Sequence, residues 1–99
     1  MQKNTLEIDR GRIFSGRQHK IVFLALEDSA LLVSEITKKV NSVIPKEEKT
    51  LALREVSRAL KWLAINFYAT CLNPSNKHGV KGILYKLTER GKRVRKLCN

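Results

Sequence analysis

Ninety-nine residues with 42% apolar side chains are enough for one domain around one core, and too few for an elaborate active site. No run approaches the roughly 18 to 20 apolar residues that cross a bilayer, and the opening MQKNTLEIDRGR lacks the apolar stretch of a secretion signal, so a cytoplasmic protein without a membrane partner is expected. Twenty Lys and Arg against nine Asp and Glu give +11, and residues 50–99 hold most of it, with eleven cations and two acids against nine and seven in residues 1–49; such a surface suits a polyanion, whose condensed counterions each neutralised phosphate releases.

Residues 1–14 begin with Leu6 and Ile8 in alternation, then Ile13 and Phe14, interrupted by Arg10-Gly11-Arg12. This pattern predicts a short extended arm, an added strand or a dimer contact. Ser15-Gly16-Arg17-Gln18 has the form of a capping box, and the IVFLAL that follows is apolar almost all round, as in a helix buried on more than one side. A second helix is expected over about residues 32–43, with Val33, Ile36, Val40 and either Val43 or Ile44 inward and Glu35, Lys38, Lys39 and Ser42 outward. IPKEEKT, with Pro45, reads as a charged connection.

A third helix runs from about residue 50 to 64 or 65 on the stripe Leu53, Val56, Leu60 and Leu63. The period then changes. Residues 66–72 and 82–88 are rich in β-formers, the second alternating Ile83, Tyr85 and Leu87 against Leu84 and Lys86, and NPSNKHGVKG, residues 73–82, holds one Pro and two Gly, so the pair predicts a hairpin. The tail from Thr88 reads as a closing helix with a Thr cap, Glu89 in its first turn and Val94, Leu97 and Cys98 on one side. No repeat or linker divides residues 15–99, which are taken as one domain behind a 1–14 arm.

With these elements in order, LLVSEITKKV, LREVSRALKWL and GILYKLTERGKRV together resemble a winged helix-turn-helix domain of the kind found in small archaeal and bacterial transcription regulators, the MarR-like and PadR-like groups. The likeness covers residues 15–97, with L-T-E-x-G its most characteristic part. It implies a mostly α fold with a β-hairpin wing, in the order helix-helix-helix-strand-strand-helix, with the arm as a candidate extra N-terminal strand. Two departures stand out. The 41–49 connection is longer than the usual turn, and Ala64-Ile65-Asn66-Phe67 replaces an E-x-x-G-L-I step, which would leave Asn66 in the left-handed position usually held by glycine.

The resemblance implies that the third helix enters the major groove of DNA. Counted from its apolar stripe, the outward positions are Arg54, Glu55, Ser57, Arg58 and Lys61. An arginine can chelate a guanine edge, a short Ser57 permits close approach, and Lys61 suits a phosphate. Lys77, His78 and Lys81 would form the wing tip, on the backbone or in the minor groove. Arg17 and Gln18 at the first helix, and Ser34 with Lys38 on the second, are weaker phosphate candidates. The basic run KRVRKL would repel a second copy of itself, so it either flanks DNA or leaves a dimer contact to the arm.

Cys71 and Cys98 stand 27 positions apart, and His19 and His78 are equally scattered, so no zinc spacing exists and no metal or cofactor is expected. No nucleophile stands beside a base, no glycine-rich loop cradles a phosphate, and an enzyme is not expected. Nor is an effector pocket in so short a chain. The expectation is a sequence-specific, duplex-DNA-binding transcription regulator acting as a homodimer. The rivals are a low-specificity chromatin or replication-associated binder and a winged-helix module for protein contact.

Overall fold

Apolar residues at helical spacing close one core from three helices, and two further helices and a small sheet complete it. The computed structural model describes residues 5–74 and 82–97. In chain order the elements are α1 (Thr5–Phe14), α2 (Arg17–Ala25), β1 (Leu31–Leu32), α3 (Val33–Val43), α4 (Leu53–Ile65), β2 (Ala69–Cys71), β3 (Leu84–Leu87) and α5 (Glu89–Lys96). The class is α+β, mostly helical with a three-stranded antiparallel sheet. Among the described residues no helix is long and apolar enough to cross a membrane, and no group of three His, Cys, Asp or Glu could hold a metal ion.

The core is built from three helices, and on α3 and α4 it follows the expected stripes. Val22, Phe23 and Leu26 of α2 and its end, Val33, Ile36 and Val40 of α3, and Val56, Leu60 and Leu63 of α4 are fully buried. Ile44 rather than Val43 completes the α3 stripe, while Leu53 is only half-buried and Ala59 takes the deeper place on α4. Each full burial of such a side chain contributes about 1.5 to 3 kcal/mol. Both α3 and α4 begin with a glutamate reaching back: Leu32 N–H donates to Glu35 Oε1 and Ala52 N–H donates to Glu55 Oε1, each at 3.0 Å. The long connection between them is pinned by Asn41, whose side chain donates to Leu51 O (3.0 Å) and accepts from Leu51 N–H (2.9 Å).

In the sheet β3 lies between β1 and β2, with Leu31 opposite Tyr85 and Ala69 opposite Leu87. The third strand therefore comes from the two residues before α3, not from the N-terminus. The expected 1–14 extended arm is a helix over residues 5–14. Its inward side is Leu6, Asp9 and Ile13, at spacings of three and four, while Ile8 is exposed. Asp9 hides the pattern, because a carboxylate only 4% exposed is stable there only through distant partners. Tyr68 Oη donates to Asp9 Oδ1 (2.7 Å), and Arg90 donates through Nη2 to Oδ1 (2.8 Å) and through Nε to Oδ2 (3.1 Å). These bonds hold Asp9 below the usual carboxylate range, the Arg90 bond most of all and against the opposing effect of burial. The clasp ties α1 to α5.

Two further expectations are corrected. Ser15 does not cap α2. Gly16 occupies the cap position, Ser15 Oγ donates to Arg12 O (2.8 Å), and Gln18 turns to α4. At the end of α4 the left-handed residue is Phe67, with φ 65°, and not Asn66. Phe67 N–H donates to Ala64 O and Tyr68 N–H to Leu63 O, the paired bonds of a Schellman ending, while Asn66 Nδ2 donates to Trp62 O. The L-T-E-x-G stretch also gains a cause. Thr88 Oγ1 accepts from Gly91 N–H and donates to Phe67 O, and a Cβ on Gly91 would run into the Tyr68 carbonyl, so only glycine lets α5 approach the backbone before β2 this closely.

Candidate nucleic-acid interface

α4 packs on α2, α3 and β2, which leaves it one narrow free side. At 100° per residue, Arg54, Arg58, Lys61 and Ile65 fall on a line at i, i+4, i+7 and i+11, and all four are exposed. Among the described residues, Arg54, Arg58 and Lys61 make no hydrogen bond or ion pair with the protein. Three full charges thus stand on one helical edge, where like charges four apart cost a few tenths of a kcal/mol. Among the described residues only the attraction between Arg58 and Glu55 offsets part of that cost.

Ser57 does not belong to this edge. It is 5% exposed, because it lies on the flank of the helix between Leu53 and Lys61 rather than on its outward centre. It is not among the side chains that α4 presents outward. Glu55 is half-buried and committed: besides Ala52 N–H it accepts from Gln18 Nε2 at 2.9 Å, and its pKa is held down first by the Ala52 bond and then by Lys49, Gln18 and Arg58. Gln18 is therefore a strut between α2 and α4. Arg17, beside it, is exposed and lies 3.7 Å from Glu48. On α3, Ser34 is half-buried and Lys38 exposed, one turn apart.

Lys77, His78 and Lys81 lie outside the described residues. The base of their hairpin is described: Asn73 Nδ2 donates to Gly82 O (2.9 Å) and Leu84 N–H donates to Asn73 Oδ1 (2.7 Å), closing the loop where it leaves the sheet. The structure thus brings Arg54, Arg58 and Lys61 together on one edge, sets Arg17 and Gln18 against the turn before α4 and α4 itself, and removes Ser57.

Sequence reasoning missed two members of this surface. Ile65 is 75% exposed and extends the cationic line by one turn, a position that the four-residue step from Lys61 would have marked. Phe67 is 68% exposed although its backbone is left-handed, a conformation that costs a bulky residue about 1 kcal/mol. Beside them Arg12 Nη2 donates to Asn66 Oδ1 at 2.6 Å, bringing a cation of α1 to the end of α4. On the half-buried side of α4, Trp62 stacks on His19 with centroids 4.1 Å apart, and burial lowers the histidine's pKa. No protein-family model, curated protein or solved structure matches the chain.

Proposed function

We propose that this chain is a winged-helix protein that binds duplex DNA sequence-specifically as a transcription regulator, with α4 in the major groove and the hairpin loop on the backbone or in the minor groove. The observation that carries the reading is the line Arg54, Arg58 and Lys61: three cations without an ion-pair partner among the described residues, on the exposed edge of a helix otherwise packed into the core. A helix fits the major groove, where arginine can chelate guanine O6 and N7 for about 1 to 3 kcal/mol of discrimination. The order α2, β1, α3, α4, β2, β3, with β1 and β2 flanking β3, supports the reading as the arrangement a winged helix uses. One α4 spans one half-site, so two copies on an inverted repeat would set their helices about 34 Å apart.

A low-specificity binder is the second reading, favoured by the loss of Ser57 from the outward face, which leaves long cations that suit phosphate as well as guanine. Mobility shifts on genomic and random fragments at several salt concentrations separate the two. The backbone contribution weakens with salt for every sequence, whereas base reading preserves a ratio between sequences. Arg58→Ala should flatten that ratio and Lys77→Ala should weaken all fragments alike. Absence of duplex binding at low salt would sink both readings.

A further inference from the structure

The outward face of α5 is not used by the core. Gly91 and Val94 turn inward and Arg90 turns to Asp9, while Glu89, Lys92, Arg93 and Lys96 follow at i, i+3, i+4 and i+7 on the opposite side. That side is one wall of an open groove of about 750 Å³, whose other wall is the turn after α2, Glu27 to Ser29, with Lys39 reaching in from α3. The walls are tied together. Leu87 N–H donates to Glu27 O (3.2 Å) and Arg95 Nη1 donates to Leu26 O (2.7 Å). The groove is therefore formed before any ligand arrives.

Its charges are unevenly satisfied. Lys39 is held by Glu27 at 2.9 Å and Lys92 by Glu89 at 3.2 Å. Among the described residues, Arg93 and Lys96 meet no carboxylate, and Arg95 Nε is buried without an acceptor. A buried donor left unmatched costs about 1 to 3 kcal/mol and marks a place where an acceptor is missing. Five cations against three carboxylates leave the groove positive, with the unpaired ones on α5.

We propose that this groove binds a small multivalent anion, a ligand carrying two or more phosphate groups. Arg93 and Lys96 would grip it first, with Lys92 and Lys39 exchanging their internal carboxylates for the ligand. Residues three or four apart on a helix have Cβ atoms about 5 to 6 Å apart, so these long side chains can converge on one diphosphate. The volume lies in the range of small-molecule sites. A duplex suits it poorly, because Glu27, Asp28 and Glu89 would face a continuous phosphate backbone. The groove also lies at the Leu87 end of β3, away from the hairpin loop.

The test is isothermal titration of the full chain with sodium pyrophosphate at fixed ionic strength, without DNA. One saturable site is expected, weakened at least about tenfold in Arg93→Gln/Lys96→Gln and by less than about twofold in Arg54→Gln/Arg58→Gln. All four side chains are exposed, and thermal melting checks that both variants fold as the parent does. No saturable heat overturns the proposal, as does equal weakening in the two variants, which would mean diffuse attraction to a protein of charge +11. Loss of duplex affinity in the α5 variant, with no pyrophosphate site in the parent, would instead make this face part of the DNA surface. Because the titration contains no DNA, the groove and the duplex reading fail separately.

Discussion

α4 and α5 are both basic helices, yet they dispose of their charge in opposite ways. On α5, Arg90 is bound to Asp9 and stacked over the Tyr68 ring at 5.0 Å, Lys92 is paired with Glu89, and Arg95 donates to a backbone carbonyl. On α4, Arg54, Arg58 and Lys61 touch no acceptor among the described residues. Counting cations cannot separate these helices, but counting their partners does: among the described residues the fold holds three of the five α5 cations, leaving Arg93 and Lys96, and none of the three on α4. A paired cation near a buried carboxylate holds the fold together, whereas an aligned set of unpaired ones is available to an outside polyanion.

Substitutions should therefore divide between stability and binding along the same boundary. The largest loss of stability is expected for Gly91→Ala, about 2 to 3 kcal/mol in denaturant melts, because its Cβ meets the Tyr68 carbonyl and α5 must move away. Next is Asp9→Ala, at about 2 kcal/mol, reduced from a fully buried pair because Arg90 is partly solvated. The clasp also predicts a pH dependence. Asp9 has a lowered pKa in the folded chain, so its contribution is complete above its ordinary 3.8 and disappears as pH falls below it, and Asp9→Ala should flatten that acid limb. His19 acts more weakly in the same sense: burial favours its neutral form, so thermal stability should decline as pH falls below 6.5, by under about 4 °C in Tm, and His19→Phe should remove the slope. Smallest is Arg54→Ala, within about 0.5 kcal/mol of the parent in stability while reducing duplex affinity. A stability loss at Arg54 as large as at Asp9 would erase the distinction between the two helices.

What could be read from the chain depended on how local its causes are. α3 and α4 announced themselves because their burial follows a 3.6-residue period, and the Thr88 cap because donor and acceptor are three residues apart. α1 did not, since its inward Asp9 is stabilised by residues 59 and 81 positions away. β1 is two leucines whose pairing exists only opposite Leu84 and Tyr85. The shared exposed edge of Arg54, Arg58 and Lys61 is legible from the apolar stripe beside them. Ser57 was misassigned because a stripe of four residues does not reveal how many neighbours surround the helix. The groove on α5 was invisible for the same reason as α1: its cations are local, but its second wall comes from residues 27–29.

The central claim is that the free edge of α4 reads DNA, and selection of bound duplexes from a random pool by the parent chain and by Arg58→Ala tests it most directly. The parent should enrich one motif, and the variant should lose preference at particular positions within that motif while the rest persists. Enrichment of no motif by the parent, or of an unchanged motif by the variant, would contradict it.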